Sequence, residues 1–420
     1  MSAWAETTLK KVAEKISYGY TASATEQNTG VKFLRITDIA SGPIDWDTVP
    51  YCEISETDIE KCGLSEGEIV IARTGATVGY AKQIRRNPPH SVFASYLVRV
   101  RLKDNVCKRF VGILTESDNY KYYINTIAGG SAQPNANAQD LCSYPFYLPP
   151  IHVQQKVAAI LSAYDELIEN NQRRIALLEK LAEETYREWF VRLRFPGHKT
   201  RQFVKGVPYG WQSKKLGELV RTQYGYTASA ETEVEGPKFL RITDIVPAAI
   251  DWALVPHCKI EGKDEEKYLL QVGDIVVART GATVGYAKRI NKYVPKAVFA
   301  SYLVRLVPTR KSDAIYLGLS VERSAFKDFI WMFVTGAAQP QANATTMALF
   351  PLFYPSEFVL KEFNRIIEPM LDEKELLLNQ TVILLRTRNL LLPRLISGKL
   401  SVENLDIQFP PSMVDPVHET

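Results

Sequence analysis

Five peptides in this chain occur twice, always at the same distance. YGYTASA begins at Tyr18 and Tyr224, FLRITDI at Phe33 and Phe239, and ARTGATVGYAK at Ala72 and Ala278. VFASYLVR begins at Val92 and Val298, and AQPxAN at Ala132 and Ala338. Every second copy lies 206 residues after the first. A constant offset leaves no net insertion between the copies, so the chain must fold as two near-identical globular domains. An internal pseudo-twofold is the natural arrangement for them.

The first domain is predicted to be a mixed, strand-rich α/β body. Thr8 to Ile16 reads as a short amphipathic segment. Phe33–Ile39, alternating apolar and polar, Glu68–Ala72, set between Gly67 and Gly75, and Phe93–Leu102, mixing aromatic and β-branched residues with arginines, carry strand signals. Ile44–Tyr51 reads as a loop or edge, Lys108–Thr126 as one or two helices, and Gly129-Gly130-Ser131 as a turn.

After each domain comes a long helical pattern. Val153–Phe190 contains neither Pro nor Gly. Val157, Leu161, Tyr164, Ile168, Asn171, Ile175, Leu178 and Ala182 recur at alternating steps of four and three. That heptad seam requires another helix along it. At 1.5 Å per residue the rod spans roughly 60 Å. Glu357–Leu392 carries Phe363, Met370, Leu377, Leu384 and Leu391 at seven-residue spacing, with Leu371, Leu378, Leu385 and Leu392 beside them. Pro369 is expected to kink this helix or mark a fresh start, and Pro393 with Gly398 to end it. Neither rod can bury its seam alone, and pairing the two antiparallel is the economical solution. A polar Asn171 on the seam would fix register, or else face solvent at a wet end.

The expected division is therefore domain 1–150, rod 151–195, linker and second domain 196–356, second rod 357–400, and a flexible tail 401–420. The composition, 46% apolar and 23% charged, is that of a folded soluble protein. A net charge of +4 is weak ground by itself for a nucleic-acid partner. Five cysteines without a CxxC pair suggest reduced thiols in a cytoplasmic protein. No signal peptide or membrane-length apolar run is present.

A catalytic constellation should survive duplication, and none does. His90 becomes Lys296, His152 becomes Phe358, and His257 replaces Tyr51; His198 and His418 lie in the linker and tail. There is no HExxH, GxGxxG or GxxxxGK[ST]. Asn87-Pro88-Pro89-His90 only faintly resembles an amino-methyltransferase motif and reads as a turn, since copy two has Tyr293-Val294-Pro295-Lys296. No catalytic, cofactor-binding or metal-binding residue is assigned.

What the copies share is a set of polar and aromatic side chains. In copy one these are Tyr18, Tyr20, Thr21, Ser23, Arg35, Thr37, Arg73, Thr74, Thr77, Tyr80, Lys82, Gln133 and Asn137. In copy two they are Tyr224, Tyr226, Thr227, Ser229, Arg241, Thr243, Arg279, Thr280, Thr283, Tyr286, Lys288, Gln339 and Asn343. Such residues read base edges, hold phosphates or pack on sugars and bases. RTGATVGYAK is the best single candidate for DNA contact, with Gly75 and Gly79 exposing backbone beside Arg73 and Lys82. The same peptide could be a structural hairpin. Asp38 and Trp46 read as framework.

In YGYTASA, FLRITDI, GDIVVARTGATVGYAK (273–288), GSAQPNANAQDL (130–141), YPFYLPPIHVQQKVAAILSAYDELIENNQRRIALLEKL and LISGKL, the chain resembles type I restriction-modification specificity subunits along nearly its whole length. Copy two departs with GAAQPQANATT, and its rod opens with SEFVLKEFNRII. The resemblance implies a non-catalytic subunit with two target recognition domains, each reading half of a split double-stranded DNA site. It implies rods paired as an antiparallel coiled coil that sets the half-site spacing and docks two modification subunits. It also implies two restriction subunits, and S-adenosylmethionine, ATP and Mg2+ used by the complex rather than bound by this chain. Nearly equal readers related by a twofold predict an interrupted palindrome. The same reader would serve a related phage-defence methylation system, and the competing reading is a protein-binding scaffold without DNA contact.

Overall fold

The computed structural model describes residues 4–40, 42–85, 87–128, 135–232, 234–247, 249–334 and 340–413. The Gly129-Gly130-Ser131 turn lies outside them. The chain forms two compact units, Met1–Glu169 with Leu384–Thr420, and Asn170–Ile383. Each takes part of both long helices, Ile151–Tyr186 and Glu357–Ile396.

The first unit is built on a four-stranded antiparallel sheet in the order Ala13–Tyr18, Leu97–Leu102, Ile69–Ala72, Ala81–Gln83. Ile69–Ala72 is buried on both sides because all four residues are apolar. Its side chains alternate between two cores. Ile69 and Ile71 join Phe110, Leu114 and Leu161, while Val70 and Ala72 join Leu34, Ile39 and Phe93. A parallel pair, Lys32–Leu34 with Ser91–Phe93, backs the second core. The strand expected over Phe33–Ile39 ends at Leu34, and Ile36–Ile39 is a helical turn. Asp38 causes the break: its carboxylate accepts the Arg35 backbone N–H at 2.8 Å and closes the turn.

The second unit has its own four-stranded sheet, ordered Val220–Tyr224, Leu303–Pro308, Ile275–Ala278, Ala287–Arg289. Ile275 and Val277 face one core, Val276 and Ala278 the other. Lys238–Leu240 pairs in parallel with Ala297–Phe299.

The two long helices pack against each other within each unit. In the first, Val157 and Leu161 share a core with Leu392 and Leu395, and Asp165 forms an ion pair with Arg388 at 2.6 Å. In the second, Glu179 meets Lys374 at 2.8 Å and Tyr186 meets Phe363, so the helices run in opposite directions there. Asn171 is buried. The second helix runs through Pro369 without a fresh start and through Pro393 to Ile396, and Gly398, at φ +71°, follows its end. Buried Ile367 and Leu371 hold the flanks of Pro369 and offset its missing N–H.

The segment after Leu400, expected to be a flexible tail, is packed as far as Met413. Val402 is in the first core, Lys156 Nζ donates to the Glu403 and Leu405 carbonyls at 2.7 and 2.8 Å, and the Ser412 N–H donates to Glu166 at 3.1 Å. The amphipathic opening divides into strand Ala5–Thr8, a helical turn Leu9–Val12 and strand Ala13–Tyr18.

Candidate nucleic-acid interface

In each unit the backbone brings four separated segments to one place. Tyr18 ends its strand, and its hydroxyl accepts the Ala138 N–H at 3.2 Å. The Ala136 N–H donates to the Arg73 carbonyl, and the Arg73 N–H to the Tyr96 carbonyl. Gly19 is required here, since a Cβ would lie 2.2 Å from the Phe93 carbonyl oxygen. The second unit repeats this: the Tyr224 hydroxyl accepts the Ala344 N–H at 3.0 Å, and Arg279 bonds Tyr302 and Ala342 through its backbone.

At the centre sits an arginine stacked on a tyrosine. The Arg73 guanidinium lies 4.9 Å from the Tyr18 ring centroid, and Arg279 lies 4.9 Å from that of Tyr224. Neither arginine makes an ion pair or a side-chain hydrogen bond among the described residues, and each Nε is buried without a partner. Tyr18 and Tyr224 are themselves 46% and 42% exposed. Thr74 and Thr280 follow at the start of a tight turn that Gly75 and Gly281 enter with φ of +74° and +76°. Thr77 and Thr283 close the turn. Thr21, Ser23, Thr227 and Ser229 lie exposed on the segment after the tyrosine.

Other duplicated residues have internal partners. The Arg35 guanidinium is bidentate on Asp38 at 3.1 and 3.0 Å, and Arg241 on Asp244 at 3.0 and 2.9 Å. Those hydrogen bonds hold both arginines above their ordinary pKa. Thr37 bonds the same Asp38, and Thr243 is exposed. Lys82 turns to Glu116 at 3.8 Å. Lys288 donates to the Pro247 carbonyl at 2.9 Å, and burial lowers its pKa. Asn137 and Asn343 cap short helices, accepting from Asp140 and Thr346 respectively. Tyr80 packs on the second core of its unit, and Tyr226 lies tilted against Tyr268, ring centroids 5.4 Å apart. Tyr20 is half-buried with its N–H on the Phe93 carbonyl. Tyr286 lies under Lys327. Trp46 packs beside Ile36 and Ile44. Gln133 and Gln339 lie outside the described residues.

Tyr96 and Tyr302 are the residues that sequence reasoning missed. They are 61% and 59% exposed, next to the stacked arginines. Their signal was present in the duplicated VFASYLVR peptide. Among the described residues no group of His, Cys, Asp and Glu has metal-holding geometry, and no helix is long and apolar enough to cross a membrane.

Residues 1–180 match the family of the type I restriction modification DNA specificity domain. The MjaIX specificity subunit of a type I restriction enzyme from Methanocaldococcus jannaschii is 26% identical over 366 residues, covering 84% of this chain and 82% of that one. Over most of its length the chain is similar to type I restriction-modification specificity subunits. The MjaVIII specificity subunit of the same organism is 24% identical over 299 residues, 68% of each chain. A crystal structure of the type I S subunit from M. genitalium, 14% identical, matches with a TM-score of 0.62 over 94% of this chain and 96% of that one, a likeness of fold. These relatives are by name specificity subunits of type I restriction enzymes, and the matched family is a DNA specificity domain.

Proposed function

We propose that each unit reads one half of a bipartite double-stranded DNA site through the face around its stacked arginine. The observation that carries this reading is the duplicated pair Arg73 on Tyr18 and Arg279 on Tyr224, cations with no acid partner among the described residues, each over the ring of an exposed tyrosine. An arginine in that state is available to phosphate or guanine, and the tyrosines to sugar or base. The long helices act as an antiparallel coiled coil that sets the half-site spacing and docks two modification subunits. Those subunits supply the S-adenosylmethionine chemistry, and two restriction subunits use ATP and Mg2+. Equal readers make the site an interrupted palindrome.

The test is DNA binding by the full chain assembled with its modification subunits. Arg73→Ala with Arg279→Ala is expected to weaken specific binding by about 1–3 kcal/mol per half-site, with unfolding curves unchanged. Wild-type affinity in that double variant would leave the protein-binding scaffold as the better reading.

A further inference from the structure

The duplicated AQPxAN peptide differs at x, which is Asn135 in the first unit and Gln341 in the second. Each sits in an antiparallel backbone bridge with the threonine after the stacked arginine, Asn135 opposite Thr74 and Gln341 opposite Thr280. The next residue anchors on the arginine's own carbonyl, Ala136 to Arg73 and Ala342 to Arg279, both at 2.9 Å. Ala136 and Ala342 are buried, so alternation along the extended backbone turns positions 135 and 341 outward. Both are exposed, and neither carboxamide hydrogen-bonds within the described residues.

The chemistry at this position is also retained where its surroundings change. Nearby exposed Gln139 becomes Thr345, and Asp140 becomes Thr346. Position 135 gains a methylene in the second copy but keeps its amide. The adjacent amides, Asn137 and Asn343, are occupied as helix caps. A free carboxamide presents a donor and an acceptor side by side, the complement of adenine N6–H and N7 in the major groove.

We propose that Asn135 and Gln341 are base-reading side chains, each pairing its carboxamide with an adenine of its own half-site. This rests on the interface reading above and adds to it the identity of one base. Because the head group is the same in both units, adenine stands at corresponding positions in the two halves.

The experiment is a methylation map and a binding series on duplexes with each base pair replaced in turn, using the full chain with its modification subunits. Asn135→Ala should reduce discrimination for A·T at one position of one half-site by about 5- to 150-fold, leaving the other half unchanged. Gln341→Ala should do the same in the opposite half. Asn135→Gln should retain adenine. An unchanged map, or a weakening equal on every sequence, overturns the assignment. Loss of binding in the double Arg73→Ala, Arg279→Ala variant alongside an unchanged Asn135→Ala map rejects only this inference. Full binding in the double arginine variant rejects the interface on which it stands.

Discussion

Arg73 and Arg99 carry the same guanidinium into opposite circumstances. Arg99 is buried, donates to the carbonyls of Gly63 and Lys61 at 2.6 and 2.9 Å, and lies 3.6 Å from Glu68. Arg73 has no such partners. Arg99→Met should therefore destabilise the fold by about 3–5 kcal/mol, because Glu68 and two carbonyls lose a buried donor. Arg73→Ala should leave urea unfolding nearly unchanged. Equal losses in the two variants would contradict this division of roles. Burial also pushes the Cys142 thiol up to about 12. A raised thiol pKa favours the neutral form, so at pH 8 the thiolate is on the order of one part in ten thousand. Cys142 should resist Ellman's reagent in the native protein and react on unfolding; rapid native labelling there would count against its burial.

At the scale of elements, the two units hold their helices by different charges. In the first, Asp165 receives Arg109 at 2.5 Å and Arg388 at 2.6 Å, and Arg85 pairs with Glu169. Burial lowers the pKa of Arg109, and the carboxylates of Glu116 and Asp165 oppose that shift. In the second, the positions of Asp165, Arg109 and Arg85 are Leu371, Ile315 and Asn291, and Arg289 bonds Glu375 at 2.7 Å instead. A cleft of about 1310 Å³ lies in this region, lined by Arg289, Ile315, Leu371 and Glu375. Asp165→Leu, which copies the second unit at one position, should cost about 1–3 kcal/mol by taking from the partly buried Arg109 and Arg388 the carboxylate they share. Adding Arg109→Ile should recover part of that loss in chemical denaturation. No recovery would mean that the two residues do not act as a pair.

These clamps mark where sequence reasoning stops. The offset of 206 residues was legible because repetition needs no geometry, and the buried run Ile69–Ala72 because a central strand tolerates no polar residue. The heptad steps likewise picked out the buried positions Val157, Leu161 and Ile168. Whether a duplicated polar residue faces outward was not legible. Arg35, Lys82 and Asn137 recur as faithfully as Arg73, yet the fold engages them with Asp38, Glu116 and a helix end. Recurrence cannot separate a residue kept for a partner inside the domain from one kept for a partner outside it. Only the placement of Asp38 and Glu116 does so.

For the whole molecule, the proposed ruler role of the helices makes a quantitative demand. Each long helix keeps its apolar positions in heptads, so a seven-residue deletion preserves the seam, as Leu384 and Leu391 or Val157 and Tyr164 illustrate. One heptad shortens a helix by about 10 Å, close to three base pairs at about 3.4 Å each. Matched deletions in both helices should therefore shorten the unread spacer by about three base pairs while both half-sites stay as they were. The rotation that accompanies such a change, nearly a third of a DNA turn, should weaken binding as well as shift it. A methylation map of cells carrying the variant and its modification partner reads both effects at once. The wild-type map must show two matching halves on opposite strands, because the two faces share Tyr18 with Tyr224, Arg73 with Arg279 and Tyr96 with Tyr302. Two unrelated halves would mean that residues outside this shared face decide the sequence. An unshifted spacer in the shortened variant would mean that the separation is set by the modification subunits and not by these helices.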